Sequence, residues 1–310
     1  MSLGPIVAAL GGELYCGGTR ASVPAPGHSP ADRSVSLLLL SDGRVIVHGF
    51  GGADWRQVRA ALINAGLIDR SGRISGGAFP IRGPAAERPD VARRVAVAHL
   101  IWEGAGTIGA ASLSHRHLVG RAIRQDPADI EALRHHPAAP LAVYREHGRT
   151  APALVAAIRD ADGALTAIEL TYLAPSGRRD DRLRLPRKTV GVLPPGSAVR
   201  LAPAQTEILV GEGVMTVLSA MERLDLPGWA LMSVRNLAAW TPPPIVRRVL
   251  IAADRGRPGQ EAAARLEGRL TTMGLSASVA SPPDGAEDWN ALAMAERRKE
   301  GRGRAPERSG

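Results

Sequence analysis

The sequence predicts an α/β fold whose carboxyl-terminal part is a parallel sheet flanked by helices, preceded by a mixed α+β region and a small β module. Three observations carry this expectation. From residue 207 onward, apolar runs at 208–210, 229–233, 248–253 and 276–280 alternate with amphipathic helical stretches at 214–224 and 259–273. Repeated strand–helix units build parallel sheets, because a helical crossover returns the chain to a parallel neighbour. The apolar runs at 154–159 and 165–172 are instead joined by Asp160-Ala161-Asp162-Gly163, a hairpin connection. The runs at 35–40 and 44–50 are joined by Asp42-Gly43, a tight-turn dipeptide.

Taken in chain order, residues 54–65 read as a short amphipathic helix, with Trp55, Val58, Ala61 and Leu62 at helical spacing. Residues 71–89 are rich in Gly, Pro and Arg and read as a linker. Helical patterns follow at 91–103 and 113–123, then a shorter helix at 129–133 with Asp126 as its cap. Residues 177–188 are basic with few apolar positions and read as an exposed loop, and the tail from Arg297 reads as disordered. The expected organisation is a module at 1–70, a linker at 71–90, an α+β region at 91–204, an α/β domain at 205–296 and a tail at 297–310.

Lys and Arg together number 39 against 30 Asp and Glu, a net charge of +9, and lysine occurs only at Lys188 and Lys299. Arginine's planar fork suits phosphate oxygens, so a polyanionic partner is one reading; a coding bias toward Arg, Ala, Gly and Pro is the other. With Cys16 the single cysteine, neither an intramolecular disulfide nor a thiolate zinc cluster can form. The amino terminus lacks the pattern of a secretory signal, and Leu37-Leu38-Leu39-Leu40 is too short to span a bilayer, so a cytoplasmic protein without membrane contact is expected. Aromatic residues are only 3%, which argues against aromatic base-stacking as the main grip on nucleic acid.

The run 208–210 leads through Gly211 into Glu212, and the run 248–253 leads into Asp254. Carboxylates at neighbouring strand tips repel each other unless a cation lies between them, and Mg²⁺ is held by one or two carboxylates plus substrate phosphates. Both residues also precede helices, so helix N-caps are the alternative on spacing alone.

Val210-Gly211-Glu212-Gly213-Val214-Met215-Thr216, then Ser233-Val234-Arg235-Asn236-Leu237, then Ile251-Ala252-Ala253-Asp254-Arg255-Gly256, and finally Asp288-Trp289-Asn290 resemble, in order and spacing, the toprim family of primase-type proteins. Upstream, Gly120-Arg121-Ala122-Ile123, the hairpin around Asp162-Gly163, Thr171-Tyr172-Leu173 and Arg187-Lys188-Thr189-Val190-Gly191 resemble the region preceding toprim in plasmid- and phage-borne primases. The resemblance implies a DNA primase that binds single-stranded DNA and nucleotides and joins ribonucleotides using Mg²⁺ or Mn²⁺. Glu212 would coordinate metal or act as general base, Asp254 would hold the metal, and Asp288 would assist. Arg184, Arg187, Lys188 and Arg235 would contact nucleic acid. With no Walker motif in the chain, any helicase partner is a separate chain. A replication-accessory protein that binds DNA without catalysis is the rival, because Gly256 stands where the family has a second Asp and Ala291 where it has another.

Residues 11–62 resemble the zinc ribbon of the same proteins through Pro26-Gly27-His28, Asp32-Arg33-Ser34-Val35-Ser36-Leu37 and 43–54. The family's cysteines would fall at Val23, Gly49 and Ala53, leaving only His28, with His48 adjacent. Zinc is therefore not expected, and the module is read as held by a small core including Val45, Val47 and Phe50. Cys16 is expected to be partly buried, and His115, His117, His135 and His136 to have surface or cap roles.

Overall fold

Val35, Leu37 and Leu39 are buried while Ser36 and Leu38 are only partly so, the period-two alternation of a strand with one face on a core. In the computed structural model, which describes residues 2–28, 32–49, 54–75, 90–145, 148–283 and 285–303, this strand belongs to the first of two units, Met1–Arg88 and Pro89–Gly310. The first unit opens with α1 (Gly4–Leu10), β1 (Glu13–Tyr15) and β2 (Arg20–Val23), which the hydrophobic pattern does not mark. β3 (Val35–Leu39) and β4 (Val45–Gly49) complete an antiparallel sheet in the order β1-β2-β3-β4. The Asp54 side chain caps α2 (Trp55–Asn64), which adds Val58 and Leu62 to a core with Val35, Leu37 and Val45. Trp55 has the spacing of an inward residue but is 46% exposed, and Phe50 lies outside the described residues. Arg73 and Ile74 bridge to Arg44 and Ile68, so the start of the expected linker belongs to this unit; 76–89 lie outside the described residues.

The second unit begins with α3 (Val91–Glu103), α4 (Leu113–Gly120), β5 (Leu133–Pro140), β6 (Thr150–Arg159), β7 (Leu165–Tyr172) and β8 (Arg187–Gly191). These four strands form an antiparallel sheet in sequence order. Ala98, Ile101 and Trp102 of α3 pack with Val155, Ile168 and Tyr172. The helix expected at 129–133 does not form: Asp126 caps a single 3-10 turn, Pro127–Asp129, and Leu133 starts β5. Two histidines and two prolines hide the strand signal of β5, which pairs with β6 on either side of a bulge. The exposed loop expected at 177–188 also ends early, because Arg187 and Lys188 pair with Thr171 and Leu170.

The chain continues through β9 (Val199–Arg200), β10 (Glu207–Gly211), α5 (Val214–Leu224), β11 (Gly228–Ala230), α6 (Val234–Ala239), β12 (Arg248–Ala252), α7 (Arg257–Thr272), β13 (Ser276–Ala280) and α8 (Trp289–Gly303). The sheet order is β13-β12-β10-β11-β9, parallel except for the edge strand β9. A Cβ on Gly211 would lie 2.8 Å from Val217, and one on Gly228 would lie 2.7 Å from Met221, so α5 approaches the sheet as closely as glycine permits. The tail from Arg297 is helical through Gly303, contrary to the expected disorder. Arg223–Glu296 and Arg124–Glu300 ion pairs fasten α8 to the rest of this unit. Among the described residues no helix is long and apolar enough to cross a membrane.

Candidate functional site

β10 and β12 pair in parallel with Gly211 opposite Ala252, so Glu212 and Asp254 leave adjacent strands at the carboxyl edge of the sheet. Neither is a helix cap: Gly213 and Gly256 occupy the N-cap positions of α5 and α7, and neither helix has a side-chain cap. Burial raises the Glu212 proton affinity, offset in part by Arg187 and by a hydrogen bond from the Val234 amide. Asp254 is pushed up to about 6 by burial and then by the charges of Asp288 and Glu212, against a hydrogen bond from Thr216. Its Oδ1 is buried without a hydrogen-bond partner. Asp288 shares the cleft, but its Oδ1 accepts the Ala291 amide at 2.6 Å at the start of α8.

A half-buried carboxylate pair with one orphaned oxygen fits a cation completed by phosphate and water, as Mg²⁺ is bound. It does not fit a closed protein cage, since no three His, Cys, Asp or Glu side chains converge on a metal position among the described residues. At Gly256, φ is −65° and ψ is 134°, and an added Cβ would have only Pro258 Cδ near it, at 4.0 Å. The absence of the second carboxylate that the resemblance implies is thus a matter of residue identity, not of room.

The carboxylates line a cleft of about 1120 Å³ together with many arginines. Arg116 and Arg121 come from α4 and the turn after it, Arg178 and Arg179 from the β7–β8 connection, Arg187 from β8, and Arg297 and Arg298 from α8. Arg187 Nε lies 3.8 Å from Glu169 Oε2, a β7 carboxylate whose proton affinity burial raises and Arg187 lowers. Arg121 is partly buried with its Nε unpartnered; burial lowers its proton affinity and the nearby Asp288 opposes that. Asn290 donates to the Arg121 carbonyl at 2.7 Å and to Ser219 Oγ at 2.8 Å, tying α8 and α5 to the arginine's turn. His117 is buried, not superficial, and its Nδ1 donates to the Gly177 carbonyl at 2.9 Å, anchoring the connection that carries Arg178 and Arg179.

Glu212, Asp254, Asp288 and Arg187, all legible in the sequence, therefore meet in one cleft. Lys188 does not join them: its Nζ donates to the Leu141 carbonyl at 2.6 Å and sits 5.0 Å from the Tyr172 ring centroid. Arg184 and Arg235 are exposed but do not line the cleft. Asn236 is buried, bonding Ser197, Leu231 and Gly196. His135 and His136 lie in β5, with His135 Nδ1 2.8 Å from Ser114 Oγ. Glu169, His117 and Arg116 carried no sequence signal; Arg121 and Arg178-Arg179 lay within motifs whose individual contacts the sequence does not reveal.

In the first unit, His28 Nδ1 lies 3.1 Å from Asp32 Oδ2. Asp32 is held down to about 2, first by the Ser34 hydroxyl and then by the Ala25 amide. Cys16 is exposed rather than partly buried.

Residues 207–299 match the toprim domain family, and residues 92–201 match a domain of unknown function (DUF7146). No curated protein matches the chain in sequence. Among solved structures, the primase fragment of the bacteriophage T7 primase-helicase protein is 14% identical, with 94% of this chain and 98% of that chain covered and a TM-score of 0.39. The Aquifex aeolicus primase, in its zinc-binding and RNA polymerase domains, is 13% identical over 96% of this chain and 82% of that one, with a TM-score of 0.44. The chain thus carries a toprim domain at residues 207–299.

Proposed function

We propose that this chain is a primase-type nucleotidyltransferase that binds single-stranded DNA and joins ribonucleotides with a divalent cation. The observation that carries the reading is a carboxylate pair at a toprim strand edge, one oxygen unpartnered, in the same cleft as a set of arginines. Negative and positive groups brought together in this way suit a substrate that is itself anionic and reacts at phosphorus. A bound Mg²⁺ or Mn²⁺ supplies Lewis-acid polarisation of the phosphate, and Glu212 and Asp254 are the residues that would hold it, with Asp288 adding charge. Alternatively Asp254 holds the cation alone, and Glu212, whose proton affinity burial raises, takes the proton of the attacking hydroxyl. Arg121 and Arg187 bind phosphate oxygens, and Glu169 holds the Arg187 guanidinium in place. Arg178, Arg179, Arg297 and Arg298 extend the phosphate track along the cleft.

Gly256 favours a second reading, in which the cleft binds DNA without catalysis as a replication-accessory protein, because one family carboxylate is absent. Primer synthesis on single-stranded template, with Mg²⁺ and separately with Mn²⁺, decides between them. Ribonucleotide products that vanish with Glu212→Gln support the polymerase. DNA binding with no product under either ion supports the accessory protein.

A further inference from the structure

We propose that Met215, Met232 and Met294 form a platform in the cleft that takes the nucleobase of a nucleotide without regard to its identity. The inference rests on the reading of the cleft as a nucleotide site. Three of the chain's six methionines line this one cleft, and among the described residues no Phe, Trp or Tyr does. They come from three separate elements: the first turn of α5, the segment after β11, and α8. All three are partly exposed, and Met215 and Met232 pack against the core cluster that contains Val214, Leu218 and Ala230. Each of these two therefore has a supported back and a solvent-facing side.

The backbone supplies an independent observation. Met232 has φ +66°, a left-handed conformation that glycine adopts freely and methionine does not. Hydrogen bonds from the Met232 amide to the Glu212 carbonyl and from the Leu231 amide to the Gly211 carbonyl, each 2.8 Å, hold it there. A methionine held at such a position, lining the cleft and bonded to the residue after β10, points to use of that side chain. Thioethers are polarisable and make favourable contacts with aromatic faces, and their flexible chains adapt to rings of different size. They offer only a weak acceptor, so they grip a base without reading its edge, as templated synthesis requires. Phosphates on the arginines and a base on the methionines account for both the charged and the apolar lining.

The test compares inorganic tripolyphosphate with the four ribonucleoside triphosphates, each with Mg²⁺, by calorimetry on the full chain. Nucleotides should bind about tenfold more tightly than tripolyphosphate and nearly equally among themselves, given the strength of sulfur–aromatic contacts. Met215→Gln with Met294→Gln should remove that margin, and Met215→Leu with Met294→Leu should keep most of it. A second measurement needs no variant: bound nucleotide should slow peroxide oxidation of Met215, Met232 and Met294. Met273, 52% exposed at the end of α7 and outside the cleft lining, should oxidise at an unchanged rate. Tripolyphosphate binding as tightly as nucleotides, or unchanged oxidation of the three methionines, overturns the platform and leaves the phosphate site standing. Absence of binding by either ligand overturns the nucleotide reading of the cleft and the platform with it.

Discussion

Asp254 keeps a buried oxygen unpartnered and a pKa near 6 because burial, Asp288 and Glu212 all oppose its charge. Its folded pKa lies above the ordinary 3.8, so the folded state binds this proton more tightly than the unfolded chain does. The resulting stability is complete below about pH 4 and is lost as pH rises through about 6. Discounted for the water that reaches the half-buried group, the effect is on the order of 1 kcal/mol. Asp254→Asn should therefore melt at or slightly above the wild-type temperature at pH 8 without metal, and the difference should vanish by pH 4. A cation competes with the same proton, so Mg²⁺ affinity should rise up to about tenfold per pH unit below pH 6 and level off above it. Gly256→Asp enters an ordinary backbone conformation with open space around its Cβ and adds a side-chain cap to α7. It should tighten Mg²⁺ binding and raise the metal-free melting temperature by no more than a degree or two. Mg²⁺ titrations followed by thermal melting of the three proteins check all of this. An equal metal shift in Asp254→Asn and wild type would move the metal elsewhere.

β8 shows what a strand does to a basic run. Read as sequence, Arg184, Arg187 and Lys188 form one charged loop; paired to β7, Arg187 lines the cleft and Lys188 bonds the Leu141 carbonyl over Tyr172. Arg187→Ala should lower the salt dependence of single-stranded DNA binding by about 0.7 in log–log slope, the value for one phosphate contact. Lys188→Ala should leave that slope unchanged and cost about 1–2 kcal/mol in urea unfolding through the lost hydrogen bond and cation–π contact. Equal loss of slope in both variants would return Lys188 to the nucleic-acid surface. The same strand marks the limit of what pattern reveals. β10, β12 and their carboxylates were legible because buried parallel strands are continuous apolar runs ending at a functional edge. β5 was not, because His135, His136 and its prolines break the alternation, and only pairing with β6 defines it. Glu169 and Arg121 are single polar residues whose partners lie in distant segments, as the Asn290 bond to the Arg121 carbonyl illustrates. No local pattern encodes such a contact.

Among the described residues, the candidate site lies within one of the two units. Glu212, Asp254, Asp288 and the cleft arginines all belong to Pro89–Gly310, while Met1–Arg88 has its own core around Val35, Leu37 and Leu62. In that first unit His28 is engaged by Asp32, and Asp32 in turn accepts the Ala25 amide at 2.9 Å and the Ser34 hydroxyl at 2.5 Å. Hydrogen bonding around a carboxylate thus orders the turn near which the resemblance would put a zinc ligand. Two consequences follow for the whole chain. Elemental analysis should find no stoichiometric zinc, and a zinc chelator should leave the unfolding curve unchanged. Ligand binding stabilises only what unfolds with the site, so Mg²⁺ should slow amide hydrogen exchange in peptides from 207–224 and 248–272. Exchange in peptides from 13–49, where the strands β1–β4 lie, should stay the same with and without Mg²⁺. One zinc per chain, or Mg²⁺ protection appearing in 13–49, would give the amino-terminal unit a metal-binding role that neither its residues nor its hydrogen bonds support.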